Sequence, residues 1–225
     1  MTKLSWVGHS TVKLETCKGL VAMIDPWIKD NPVNPDKELP EKVDLILITH
    51  DHFDHTGDTI ELSKRTGAKV IAQPETIVKL VNNGLPQENG IKLNIGGTFF
   101  ADNFQAIMVQ AFHTSDTGVA AGYIIKIDGK TIYHLGDTGI FGDLKLFGEL
   151  YSIDYALIPI GGHFTMDYKH GSIAATMLGA KNVIPIHYKT FPLLLRNADC
   201  FVEEVKALNI DMNVIVLEPG ETITI

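Results

Sequence analysis

The chain has 225 residues, 45% hydrophobic and 20% charged, with a net charge of −8. That apolar share can build a sizeable core and excludes an intrinsically disordered chain. The acidic balance repels a phosphate backbone, so nucleic acid is disfavoured as a partner.

Cys17 and Cys200 are too few and too widely spaced for a disulfide framework or a zinc knuckle. They are expected to be small buried residues. The opening MTKLSWVGHS lacks the apolar core of a secretory signal, and the longest apolar runs, LILI and YALIPI, are too short to span a bilayer. The expectation is a cytoplasmic protein of one domain, residues 1–225, built from two similar halves.

Residues 3–6, 11–16 and 19–24 are short runs divided by glycine-bearing turns and predict antiparallel strands. Residues 28–42 carry three prolines and predict a surface loop. KVDLILITH (42–50) is a continuous apolar run, as in a strand buried on both faces. Helical spacing follows at 57–66 and 75–83, with the strand KVIAQ between them. From Lys92 the texture is β-rich again: IKLNI, QAIMVQAFH, then AAGYIIKIDGKTIYHLGD, with Asp128-Gly129 as a hairpin turn. Then come a helix over 143–151, the strand YALIPI, a helix over 172–178, the strand NVIPIH, a helix over 200–208 and two closing strands. A β-rich passage followed by an α/β passage thus occurs twice. Two sheets packed face to face, with helices on both outer sides, accommodate it.

Metal-type ligands fall where predicted strands end. LILITH ends in His50, MVQAFH in His113, TIYHLGD in Asp137 and VIPIH in His187. Loops at one end of a rigid sheet are where binding groups converge. ITHDHFDHTG concentrates the signal, placing His50, His52, Asp54 and His55 within six positions. His50 and His52 are two apart in extended chain and share a side. Asp54 and His55 lie in the turn and can address a second position. One cation takes three or four ligands at about 2 Å, so this is a surplus. Two cations sharing a carboxylate explain it, with Asp137 as the candidate bridge. Chance placement of H-x-H-x-D-H in this composition is on the order of one in a thousand.

These residues resemble the metallo-β-lactamase fold superfamily: THDHFDH matches its T-H-x-H-x-D-H signature, and His113, Asp137 in HLGDTG and His187 in IPIHY follow in the family's order. His52 stands where the oxygen-reducing diiron branch has glutamate, which disfavours redox chemistry. The extra domains of the nucleic-acid-cutting β-CASP branch are not seen. WVGHST (6–11) and PIGGHFTMDYKH (159–170) resemble the UPF0173 metal-dependent hydrolases, a group similar to the ascorbate-6-phosphate lactonase and N-acylphosphatidylethanolamine phospholipase D branches. The resemblance implies a four-layer αββα sandwich, two mixed sheets flanked by helices, with a dinuclear site at one edge. It implies that His50, His52 and His113 hold one metal, and Asp54, His55 and His187 the other, with Asp137 bridging. Zinc is the first choice of metal, with manganese, iron and nickel as alternatives.

Such a site makes hydroxide near neutral pH and needs no serine or cysteine nucleophile. The expected activity is hydrolysis of an ester, lactone or phosphodiester in a small molecule. A non-catalytic metal-binding or ligand-sensing protein and an RNase-type nuclease are the alternatives. Asp54 is expected to orient the hydroxide as well as ligate. His9, His163 and His170 are expected near the site mouth as acid groups or oxyanion grips. His134 is read as structural, Asp51 and Asp25 as braces for the ligands, and Trp6 and Trp27 as packing residues. Selectivity is assigned to loops 28–42 and 163–170. A homo-oligomer is left open.

Overall fold

The computed structural model describes residues 1–208 and 211–225. Its strands form two seven-stranded sheets. The first runs β14 (Thr222–Thr224), β1 (Lys3–Gly8), β2 (Thr11–Glu15), β3 (Val21–Ile24), β4 (Leu45–Leu47), β5 (Lys69–Ala72), β6 (Gly90–Lys92). The second runs β13 (Asn213–Val214), β12 (Asn182–Ile186), β11 (Tyr155–Pro159), β10 (Lys130–His134), β9 (Ala121–Ile127), β8 (Phe104–Gln110), β7 (Thr98–Ala101). Each sheet is mixed. Strands β1 to β3 and β7 to β10 pair antiparallel, whereas β3 to β6 and β10 to β13 pair parallel. Helices α1 (Phe53–Thr56), α2 (Thr59–Thr66) and α3 (Pro74–Asn82) belong to the first half, and α4 (Asp143–Tyr151), α5 (Tyr168–Leu178) and α6 (Asp199–Ala207) to the second. This is the αββα sandwich expected from the sequence.

Alternation decides which residue faces which layer. Ala22, Ile24, Leu45, Leu47 and Ile71 point between the sheets, where they join Phe104, Met108, Tyr123 and Ile125 of the second sheet. Their neighbours Val21, Met23, Ile46, Val70 and Ala72 point the other way and pack under Leu62 of α2 and Ile77 and Leu80 of α3. That is why β4 reads as an unbroken apolar run: both of its faces are covered. Phe147 of α4, Ala174 and Leu178 of α5, and Phe201 and Val205 of α6 join the core from the side of the second sheet. Full burial of each large side chain stabilises by about 1.5–3 kcal/mol.

The sheets are stitched together near the strand ends. Ala121 N donates to Thr49 O at 3.0 Å, and His187 N donates to His9 O at 3.0 Å. The buried Tyr123 hydroxyl lies 2.9 Å from Ile48 O and 3.2 Å from Ile71 O. At the far end of β9, Asp128 (φ +47°) and Gly129 (φ +80°) make the expected hairpin turn.

Some elements differ from expectation. Strand β7 was not foreseen, because TFFA has no alternation; it pairs with β8 at the sheet edge. The helix expected over 57–66 starts earlier, as α1, and Gly57 and Asp58 separate it from α2. Helix α5 starts at Tyr168, so His170 lies in its first turn, capped by the Asp167 side chain. Residues 28–42 have no regular structure, yet Ile28, Asn31, Asn34 and Leu39 are buried. Cys17 is exposed rather than buried, since its place in the turn after β2 faces solvent. No helix among the described residues is long and apolar enough to cross a membrane.

The Tyr123 hydroxyl is a buried side-chain tie from β9 to the end of β4 and to β5. Tyr123→Phe is expected to cost about 1–2 kcal/mol of unfolding free energy in urea, the usual cost of leaving a buried carbonyl unpaired: Ile48 O loses its donor, whereas Ile71 O keeps Ile48 N. An unchanged unfolding midpoint would show that this tie contributes nothing.

Candidate metal centre

The ligand-type residues lie just past the strands. His50 follows the end of β4 by three positions, His113 follows β8 by three, Asp137 follows β10 by three and His187 follows β12 by one. All four strand ends open onto the same edge of the sandwich, and α1 carries Asp54 and His55 to it. His50, His52 and His113 bring ligand atoms within 4.8 Å of one another. His9, Asp54, His55 and His187 do the same, as do His50, His55 and Asp137. The two histidine groups meet at one atom. Asp137 Oδ2 lies 3.0 Å from His187 Nε2, 3.4 Å from His55 Nε2 and 3.6 Å from His113 Nε2.

Burial and charge set the protonation states. Burial alone would raise the pKa of the Asp137 carboxyl, but His187 and His55 outweigh it and hold it well below the usual carboxylate range. Burial would lower that of His55, yet Asp137 and Asp25 overcome this and raise it well above the ordinary imidazole value. Burial, with His55 beside it, pushes His50 well below that value, and burial also lowers His113. The Asp54 carboxyl is lowered despite burial, because His9 hydrogen-bonds to it and His55 lies close. Within this cluster, His55 Nε2 and His187 Nε2 are buried and close to Asp137 Oδ2, yet neither is angled to make a hydrogen bond. Buried nitrogens without a partner are costly, and a cation that displaced the His55 proton would supply that partner. Imidazole and carboxylate groups converging in this way fit a divalent cation.

Behind the ligands lies a shell of supports. Asp25 is fully buried and accepts from Thr49 N (2.8 Å) and Thr49 Oγ1 (2.6 Å), and lies 2.8 Å from His55 Nδ1. A carboxylate on one imidazole nitrogen aims the other at a metal. Asp51 turns away from the cluster, as expected, and ties it to the His113 loop. It accepts from Ser115 Oγ (2.7 Å), Asp116 N (2.8 Å) and Thr117 N (3.2 Å), and pairs with Lys79 Nζ at 2.9 Å. His134 is buried and holds Ser10 O at 2.9 Å, the structural part expected of it.

His9 is not at the mouth. It is fully buried, its ring 3.8 Å from that of His187, with Nε2 3.0 Å from Asp54 Oδ2 and Nδ1 2.6 Å from Thr190 Oγ1. Burial and neighbouring His187 lower its pKa to about 3, so it is neutral near pH 7. Nε2–H then donates to Asp54, and Nδ1 accepts from the Thr190 hydroxyl. The φ angles of His9 (+57°), Asp25 (+49°) and His187 (+57°) are left-handed, a conformation that costs non-glycine residues about 1–3 kcal/mol each. Three such residues in one cluster mark a site held by its surroundings.

A cavity of about 730 Å³ opens over the cluster, lined by His52, Asp54, His113, Asp137 and His187, and by Phe53, Thr114, Phe164, Phe191, Pro192 and Leu193. His163 and His170 do not line it. The His163 ring packs edge-on against Phe164 at 4.7 Å, and His170 Nδ1 lies 3.4 Å from Asp167 Oδ1 in solvent. Loop 28–42 supplies no lining residue, whereas Phe164 of loop 163–170 does. The sequence reading missed Thr190 and the FPL stretch at 191–193. The available signal was the apolar run FPLLL (191–195), with no strand or helix period, four residues after His187.

Residues 15–188 match the beta-lactamase superfamily domain. The fold and its histidine-rich edge are therefore those of a metallo-β-lactamase superfamily protein. A UPF0173 metal-dependent hydrolase of Nitratidesulfovibrio vulgaris is 43% identical over 100% of this chain and 95% of its own length. Another, from Pyrobaculum islandicum, is 41% identical over 99% of this chain and 100% of its own. The structure of Igni18, a metallo hydrolase from the archaeon Ignicoccus hospitalis, superposes with a TM-score of 0.90 at 40% identity, covering 99% of this chain and 98% of that one. The chain belongs to the UPF0173 metal-dependent hydrolase family of this superfamily.

The lowered Asp51 carboxyl has a pH signature. Burial opposes the lowering, but Thr117, Lys79 and Ser115 outweigh it. A depressed folded-state pKa gives stability that is full above the unfolded value of about 4 and is lost as pH falls below it. Asp51→Asn is expected to lose about 2 kcal/mol at pH 7 and to flatten the fall of stability below about pH 4. Urea unfolding at several pH values checks both; equal slopes for the two proteins would remove Asp51 from the account.

Proposed function

We propose that this metal-dependent hydrolase holds two divalent cations, zinc first, and cleaves an ester, lactone or phosphodiester bond of a small molecule. When bound, the cations supply hydroxide near neutral pH and polarise the attacked oxygen. In this reading His50, His52 and His113 hold one cation, and Asp54, His55 and His187 the other. The observation that carries it is the place of Asp137, whose Oδ2 lies within 3.6 Å of rings from both sets. One carboxylate between two imidazole groups is what a shared ligand requires. Manganese, iron and nickel accept the same donors.

The remaining parts fall to the chain's own residues. Asp25 and Asp51 hold His55 and the His113 loop in place. His9 donates to one oxygen of Asp54 and so fixes the carboxylate that faces the cavity. Among the described residues lining that cavity there is no serine, cysteine or lysine, and the one hydroxyl, that of Thr114, has no hydrogen-bonded base beside it. This supports water as the attacking group.

Metal analysis joined to a substrate panel tests the reading. Protein loaded with zinc or manganese is expected to turn over simple lactones or bis(p-nitrophenyl) phosphate with two ions per chain. Asp137→Ala is expected to lose metal and activity together; full occupancy of both ions in that variant would refute the bridge. His9→Ala is expected to keep its ions and lose activity about 10–100-fold; loss of the ions instead would make His9 a ligand. No turnover with both ions bound would favour a binding or sensing role.

A further inference from the structure

The cavity above the ligands has a wall that metal chemistry does not require. Phe53, Phe164, Phe191 and Leu193 converge on it from three separate segments, although Phe53 is 67%, Leu193 65% and Phe164 49% exposed. Phe191 is the centre of this wall. It stacks on Trp27 at 5.8 Å and lies 6.4 Å from Phe53 and 6.5 Å from Phe164. Exposed apolar side chains gathered over a polar floor mark a binding surface.

Charge points the same way. Among the described residues lining the cavity there is no lysine or arginine. Three cations on nearby segments are engaged elsewhere, and Lys169 of the Phe164 segment lies over the Tyr168 ring, outside the cavity lining. Lys79 is held by Asp51 and Asp116, Lys189 by Glu218 at 2.8 Å, and Arg196 by Lys189 O at 2.9 Å. An anionic group placed against this wall would find no lysine or arginine lining the cavity to pair it.

We propose that the substrate is an uncharged carboxylic ester or lactone whose acyl part is an apolar chain or ring seated against Phe53, Phe164, Phe191 and Leu193. This rests on the hydrolase reading above and narrows it. Water's oxygen bonds to the acyl carbon, the acyl–oxygen bond breaks, and the departing alkoxide takes up a proton from that water, giving an acid and an alcohol from an ester or one hydroxy acid from a lactone.

Zinc-loaded protein is assayed with p-nitrophenyl acetate, butyrate and octanoate, with the mono-p-nitrophenyl ester of octanedioic acid, and with bis(p-nitrophenyl) phosphate. The expected kcat/KM rises up to about fourfold per added methylene, the value of a fully buried CH₂. The ester with a distal carboxylate is expected to fall at least about tenfold below the octanoate. Leu193→Ser and Phe53→Ser, both at exposed positions that tolerate change, are expected to flatten the chain-length slope. A flat slope in the unaltered protein, an equal rate for the charged ester, or a higher kcat/KM for the phosphodiester would overturn the proposal. Should none of these substrates turn over with both ions bound, the hydrolase reading fails, and calorimetry decides the apolar wall separately. Tighter binding of γ-decalactone than of γ-butyrolactone supports it, and equal binding overturns it.

Discussion

A nearly inaccessible carboxylate, Asp137, sits among imidazoles delivered by three different chain segments, and the rest of the architecture can be understood from that constraint. A buried negative charge is tolerable only where positive partners or cations surround it. His55 arrives on a short helix, His113 and His187 from loops after different strands. His113, His187 and Asp137 all follow strands of the second sheet, whereas His55 comes from the first, so His55 meets Asp137 only if the two sheets are locked in one relative position. The backbone bonds from Ala121 to Thr49 and from His187 to His9 provide that lock within a few residues of the ligands. Core packing and site geometry are thus one problem solved by one set of contacts.

The same logic explains the supports. Imidazoles that must present a lone pair cannot be left to rotate, so each needs a partner on its other nitrogen or a packed ring beside it. Asp25 does this for His55, and it occupies a left-handed backbone conformation to reach both Thr49 and His55. Asp51 does not touch the cluster, but it gathers the loop that delivers His113. His9 bonds to Asp54 while its own carbonyl receives both Trp6 Nε1 and His187 N. Strain at His9, Asp25 and His187 is offset by these bonds.

Much of this was legible in the sequence because two periodicities and one motif carry it. β4 showed itself as an apolar run covered on both faces, and the residues following four strands were of metal-binding type. Gly136 could be read as a turn residue; the structure adds that its φ is +64° and that a Cβ there would meet Ala121 O at 2.5 Å. What could not be read was anything fixed by tertiary approach. His9 lies in a turn after β1, a position that suggests exposure, and only the arrival of His187 and Thr190 from far along the chain buries it. Strand β7 pairs at an edge and needs no alternation. The aromatic cavity wall comes from α1 and two loops with no common pattern, so no single stretch announced it.

The segment bearing Phe191 and Leu193 is closed at its base by the bond from Lys189 N to Leu195 O, and Thr190 inside it faces the other way, toward His9. It is in effect a cassette with one fixed foot and a free outer face. Under the substrate reading proposed above, a change confined to that outer face would alter what the cavity accepts while leaving Asp137 and the imidazoles around it untouched.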